Sequence, residues 1–101
     1  MKKAAVLMHG VSAGFLEEIS QGKAYAFEYV PEYHGPPISL TMPLETSRYE
    51  FDRFPPFFEG LLPEGLALES LLKEKKIDKT DYFEQLLCLG QDLVGAVTVE
   101  I

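Results

Sequence analysis

Residues 54–66, Phe-Pro-Pro-Phe-Phe-Glu-Gly-Leu-Leu-Pro-Glu-Gly-Leu, constrain this chain more than any other stretch, because phenylalanines and leucines are punctuated there by three prolines and two glycines. Pro55 and Pro56 lock φ near the helical value, and they lack an N–H that a first helical turn leaves unpaired anyway. They therefore suit the opening of a short helix that ends near Gly60. Pro63 can open a second helix. Its ring drives Leu62 out of the helical region, which sets a bend between the two. The product is a fixed apolar surface feature. With no nucleophile beside a base and no cluster of metal ligands, it suits contact better than catalysis.

The 101 residues make one domain, expected to span 1–101, with a modest core drawn from 47% hydrophobic residues. A net charge of -7 repels phosphate backbones, and the only lysine cluster is Lys73, Lys75, Lys76 and Lys79, so direct nucleic-acid binding is excluded as an expectation. Cys88 is the single cysteine and cannot form an internal disulfide. No apolar run reaches the roughly 18 residues of a membrane span, and Met1-Lys2-Lys3 is not followed by a signal-peptide core. A cytoplasmic, soluble protein is expected.

Residues 3–9 read as a first strand, with Val6 and Met8 on one face and Leu7 and His9 on the other. A turn over residues 10–14 leads to a second strand at 15–20. Gln21-Gly22-Lys23 then turns the chain into a third at 24–30, where Tyr25, Phe27 and Tyr29 share one face. Ile38, Leu40 and Met42 alternate with Ser39 and Thr41 and predict a fourth, half-buried strand stopped by Pro43. Residues 45–53 read as a polar connector.

After Pro63 the spacing becomes helical. Leu61, Leu68 and Leu72 fall together, with Leu71 beside them, and predict a buried stripe, so Leu71→Asp is expected to unfold the domain. Leu66 lies about 160° from Leu68 on the same wheel and faces outward. Lys73, Lys75 and Lys76 place positive charge in the last turn, where the helix dipole favours it. Asp78 or Thr80 is expected to cap a third helix, with Phe83, Leu86 and Leu87 on one face and Gly90 at its end. Residues 94–101 are β-rich and must join the earlier sheet as a final strand. The expected fold class is α+β: a mostly antiparallel sheet of about five strands packed against two or three helices.

The chemistry-bearing residues are scattered. His9 ends a strand and His34 lies in a loop, neither with a partner at metal-binding spacing. Cys88 lies off the apolar face of its helix with no cation nearby in sequence to lower its pKa. Gly10 and Gly14 frame only G-x-x-x-G, without the lysine or serine of a phosphate loop. No catalytic activity, metal or cofactor is expected.

Five segments nonetheless follow one another in a specific order: Ala13-Gly14-Phe15-Leu16; Gly22-Lys23-Ala24-Tyr25-Ala26-Phe27-Glu28-Tyr29; Pro37-Ile38-Ser39-Leu40-Thr41-Met42-Pro43-Leu44; Phe57-Phe58-Glu59-Gly60-Leu61-Leu62-Pro63-Glu64-Gly65; and Leu89-Gly90-Gln91-Asp92-Leu93-Val94-Gly95-Ala96-Val97. In that order and spacing the chain resembles the N-terminal subdomain of HipA-type kinases over almost its whole length. The F-F-x-G-L-L-P-E-G and G-x-D-x-x-G-A motifs carry the most specificity. In HipA-like toxins this subdomain precedes a serine/threonine kinase core. The glycine-rich loop and the catalytic and metal-binding aspartates of that core have no counterpart in these 101 residues, so the resemblance implies no phosphotransfer of its own.

Standing alone, the chain resembles the HipS antitoxins of HipB, HipS and HipT systems, in which the kinase lacks the subdomain and a separate copy neutralises it. The resemblance therefore implies a HipT-like serine/threonine kinase as partner and a ternary complex with a HipB-like DNA-binding protein, without direct nucleic-acid or membrane contact. The residues expected to face the kinase are Phe58, Gly60, Leu62, Pro63, Glu64, Gly65 and Leu66. The alternative is a structural subdomain that completes and supports a HipA-like kinase without inhibiting it. Two departures stand out: Gly60 where full-length members commonly have asparagine, and Leu68 where they often have arginine.

Overall fold

The structure is a computed structural model that describes residues 2–93 and 95–100. The fold is α+β. A five-stranded antiparallel sheet runs in the order β4-β3-β2-β1-β5. Its strands are β1 (Lys2–Met8), β2 (Val11–Ser20), β3 (Ala24–Tyr29), β4 (Arg48–Phe51) and β5 (Val97–Glu100). The helices are α1 (Pro56–Glu59), α2 (Gly65–Lys75) and α3 (Tyr82–Leu89), followed by a 3₁₀ turn at Gly90–Asp92.

The first three strands form as the alternation requires. The β1–β2 turn is tighter than the spacing of glycines suggested. His9 and Gly10 both take positive φ, 51° and 79°, the pair of values a two-residue type I′ hairpin needs, so β2 begins at Val11 and not after Gly14. Tyr25, Phe27 and Tyr29 are all buried on one face, as expected. They meet Phe54 and Phe58 across the core: Tyr25 and Phe54 at 5.4 Å, and Phe27 and Phe58 at 5.8 Å. Val97 and Val99 of β5 are buried in the same cluster, and β5 pairs with β1. The Val94 and Ile101 ends of the expected last strand lie outside the described residues.

The fourth strand is not at residues 38–42. That segment is a tight turn: the Met42 amide donates to the Ser39 carbonyl at 3.0 Å, and the Ser39 hydroxyl accepts from the Thr41 amide at 3.2 Å. Ile38 and Met42 are buried because both ends of the turn point inward, while Leu40 at its tip is 95% exposed. Two buried residues four apart mimicked a period of two. The strand lies instead at Arg48–Phe51, inside the expected connector, where Tyr49 and Phe51 alternate with Arg48 and Glu50.

One buried hydroxyl holds the 38–42 turn. Tyr29 donates to the Met42 carbonyl at 2.6 Å and accepts from the Ile38 amide at 3.0 Å. Burial pushes its phenol above the ordinary tyrosine value. Tyr29→Phe leaves a buried carbonyl and amide unpaired and is expected to cost about 1–3 kcal/mol, read as a lower denaturant midpoint with an unchanged slope.

The helices differ from one another in how they are held. Phe83 and Leu86 of α3 are fully buried and Leu87 is half-buried, as the helical face predicts. The cap of α3 is neither Asp78 nor Thr80. Asp81 accepts from the Glu84 amide at 3.2 Å, while Asp78 accepts from the amide and hydroxyl of Thr80 at 2.8 and 2.7 Å. Those bonds, the amide bond first, hold the Asp78 carboxyl below its ordinary value. The two aspartates divide the work: Asp78 closes a turn, so the helix opens one step later.

The second helix opens at Gly65, not Pro63. Glu64 is extended (φ -127°, ψ 165°) and Gly65 takes φ +60°, so the chain cannot pass helically through this joint. The predicted buried stripe is not buried. Leu61 packs against the core, but Leu68, Leu71 and Leu72 stay half-exposed and α2 buries no residue. Helical spacing puts Leu68, Leu71 and Leu72 on one face, and among the described residues none of them belongs to the core cluster or packs against it.

Candidate docking site

Residues 59–62 form a hydrogen-bonded turn on a buried anchor, and Pro63 to Leu66 follow it. Amides of Glu59 and Gly60 donate to the carbonyls of Pro55 and Pro56 at 3.0 Å each, and those of Leu61 and Leu62 donate to Phe58 and Glu59 at 3.1 Å each. Four successive bonds leave the backbone little freedom before Pro63. Below it, the fully buried Phe58 ring lies 5.1 Å from Phe57, edge to face, and 5.8 Å from Phe27.

The residues expected to face a partner separate into two sets. Phe58 is enclosed by the core and cannot touch a partner while the domain is folded; it positions the turn. Leu62 and Pro63 are half-buried, whereas Gly60, Glu64, Gly65 and Leu66 are exposed. Leu66 is 81% exposed, as its place on the helical wheel requires. Gly65 needs glycine for its positive φ. Gly60 does not: its φ is -65°, and a side chain there would make ordinary contact, 3.4 Å from the Phe57 carbonyl oxygen. An asparagine at that position would fit, so the departure at Gly60 costs the fold nothing.

The turn's surroundings are polar. Arg53 lines a shallow cleft of about 310 Å³ with Pro56, Glu59, Gly60 and Glu64. It also lines a neighbouring cleft of about 390 Å³ with Tyr25, Phe54, Glu59, Thr80 and Tyr82. His9, His34 and Cys88 are exposed and lie elsewhere in the sequence and fold. Among the described residues no group of three His, Cys, Asp or Glu side chains could hold a metal ion. No helix among them is long and apolar enough to cross a membrane.

Two surface features were not seen in the sequence. On the outer sheet face, Arg48 donates through Nη1 to Glu17 and Glu28 at 3.0 Å each and through Nε to Glu50 at 3.3 Å. These bonds push its guanidinium further above its already high ordinary value. The cross-strand partners are 31 and 20 residues away, so only a correct β4 would have revealed them. The second feature is the exposed Leu40, hidden by its assignment to a strand.

A small α+β domain carrying an exposed leucine beside a proline–glycine turn is what the structure defines, and comparison with known proteins places it. A sequence model described as the HipA N-terminal domain matches residues 4–100. The chain belongs to that family. It is 34% identical over 100 residues to an uncharacterized protein of Haemophilus influenzae, covering 99% of this chain and 92% of that one. It is 32% identical over 111 residues to a Sinorhizobium fredii protein titled "Putative kinase Y4dM", covering 98% of this chain but only 27% of that longer protein. Among solved structures, the N-terminal domain of HipA toxin superposes with a TM-score of 0.77 at 32% identity, covering 99% of this chain and 92% of that one.

Proposed function

We propose that this chain is a non-catalytic antitoxin or regulatory subunit that docks on a HipT-like serine/threonine kinase and sets its 60–66 turn against the kinase's active cleft. The observation that carries the reading is Leu66, 81% exposed just beyond Pro63 and a turn that four backbone hydrogen bonds and a buried phenylalanine fix at residues 59–62. A rigid apolar tip loses little ordering entropy on docking, which is what an interface hot spot requires. The acidic surface of a chain with net charge -7 would speed encounter with a basic cleft more than it would strengthen the complex.

The match to a stretch of a longer kinase-titled protein favours a second reading, in which the domain supports the kinase instead of inhibiting it. Phosphorylation assays of a HipT-like kinase from the same genome, with and without this protein, separate the two: inhibition shows as lost phosphate transfer, support as a gain.

Leu66→Asp is expected to weaken kinase binding by about 2 kcal/mol or more with the parental melting temperature retained. Leu71→Asp, at a half-buried position outside the core cluster, is expected to cost about 1 kcal/mol of stability or less, reversing the expectation drawn from helical spacing. Calorimetric titration and thermal melts check both. A Leu66→Asp protein that binds and regulates like the parent removes this turn from the interface.

A further inference from the structure

The turn alone is too small to hold a partner. A stable interface buries about 800 Å² per side and involves roughly 20–30 residues, while the 60–66 turn offers seven residues, two of them glycines. The contact must spread in one of two directions. Toward α2 the surface leaves the core and ends in Lys73, Lys75 and Lys76. In the other direction it crosses Pro56, which lines the cleft holding Gly60 and Glu64 and also lines a separate cavity of about 230 Å³.

That cavity is formed by Thr41, Met42, Tyr49, Phe51, Pro56 and Phe57, without a charged residue among them. Its size suits one or two large apolar side chains and falls short of the roughly 300 Å³ at which drug-sized ligand pockets begin. At its rim is the Ser39–Met42 turn with Leu40, 95% exposed and held from behind by both hydrogen bonds of the Tyr29 hydroxyl. Leu44, 37% exposed, belongs to the same stretch of chain. A protruding leucine beside an apolar hole, both on fixed backbone, is a knob and socket that no described residue fills.

We infer that Leu40 and the cavity beside it form a second anchor of the kinase-facing surface: Leu40 inserts into the partner, and an aliphatic or aromatic side chain of the partner fills the cavity. The inference rests on the proposed docking reading and extends it across α1. An uncharged socket is matched by an apolar side chain, and charge would be left unpaired in it. The kinase is the occupant because the socket continues the surface that Gly60 and Glu64 share with Pro56.

The test uses the full chain and a HipT-like kinase from the same genome, with affinities by calorimetry, melts of each variant and sedimentation of the isolated protein. Two variants address the anchor: Leu40→Asp places a charge on the knob, and Thr41→Trp puts an indole over the socket. Each is expected to raise the Kd about tenfold or more while melting as the parent does. If both bind as tightly as the parent while Leu66→Asp does not, the second anchor falls and the docking reading stands. If the parent itself fails to bind the kinase, the docking reading falls and takes the anchor with it. If the variants shift the isolated protein from dimer to monomer and leave kinase affinity unchanged, the patch serves self-association and the inference is overturned. Should Leu40→Asp lower the melt, Thr41→Trp decides alone.

Discussion

Phe58→Ala is expected to destabilise the domain by about 3–5 kcal/mol, the range for deleting a fully buried phenylalanine. Against a total stability of about 5–15 kcal/mol, that removes a large part of the fold's margin. The reason is position. Phe58 is the buried residue of the four-residue α1, and its ring meets Phe27 of β3 and Phe57 at its side. So short a helix has almost no stability of its own, so this ring is what fastens it to the core. Thermal melts should fall by tens of degrees. Leu66→Asp, eight residues on, should melt like the parent. A Phe58→Ala protein that loses only a few degrees would mean that the core can close over the deleted ring and that the proline-rich turn is held some other way.

The contrast between Phe58 and the α2 leucines explains what could and could not be read from the sequence. A period of two over residues 24–29, bounded by turn residues, leaves one solution, and Tyr25, Phe27 and Tyr29 are buried accordingly. Local rules also sufficed for the short helix after Pro55 and for its end at Gly60. Residues 38–42 defeated the same rule because a tight turn with two inward ends gives Ile38 and Met42 the burial of a strand without its pairing. Tyr49 and Phe51 were overlooked because four residues carrying Arg48 and Glu50 look polar until Glu17 and Glu28 arrive from other strands. Periodicity fixes which side chains share a face. It does not say whether that face reaches the core, and among the described residues Leu68, Leu71 and Leu72 do not join it.

The candidate site was half legible for the same reason. Leu66 and the fixed turn followed from proline and glycine chemistry, which acts within a few residues. The Leu40 socket required residues from three separated segments, 41–42, 49–51 and 56–57, to meet. Phe58 was misplaced at the surface because adjacency to exposed residues says nothing about which way a ring points.

Gly14→Ala is the other substitution expected to act strongly, and it concerns the sheet. Gly14 lies in the interior of β2, opposite Val6 of β1 and Tyr29 of β3, where glycine ordinarily weakens a strand. Its φ is not in the left-handed region, so backbone freedom is not the reason for glycine here. Space is. A Cβ added at Gly14 would overlap the carbonyl oxygen of Glu28 and come within 2.9 Å of the Phe27 ring. The first obstacle is backbone of the neighbouring strand and cannot rotate away; the second is a fully buried ring. Relief requires β2 and β3 to separate, which disturbs the Val30 amide bond to the Ala13 carbonyl, 2.9 Å, and the seat of Phe27 against Phe58. Overpacking of this kind costs about 1–3 kcal/mol when side chains can yield, and more when backbone must. A loss of about 3 kcal/mol or more is expected, read as a melting temperature more than about 10 °C lower. Gly10→Ala is the comparison, since a Cβ there meets nothing within 4 Å and pays only for its positive φ. Equal melts for the two variants would show that the β2–β3 approach at Gly14 yields to a methyl group, and the account of this glycine would fail.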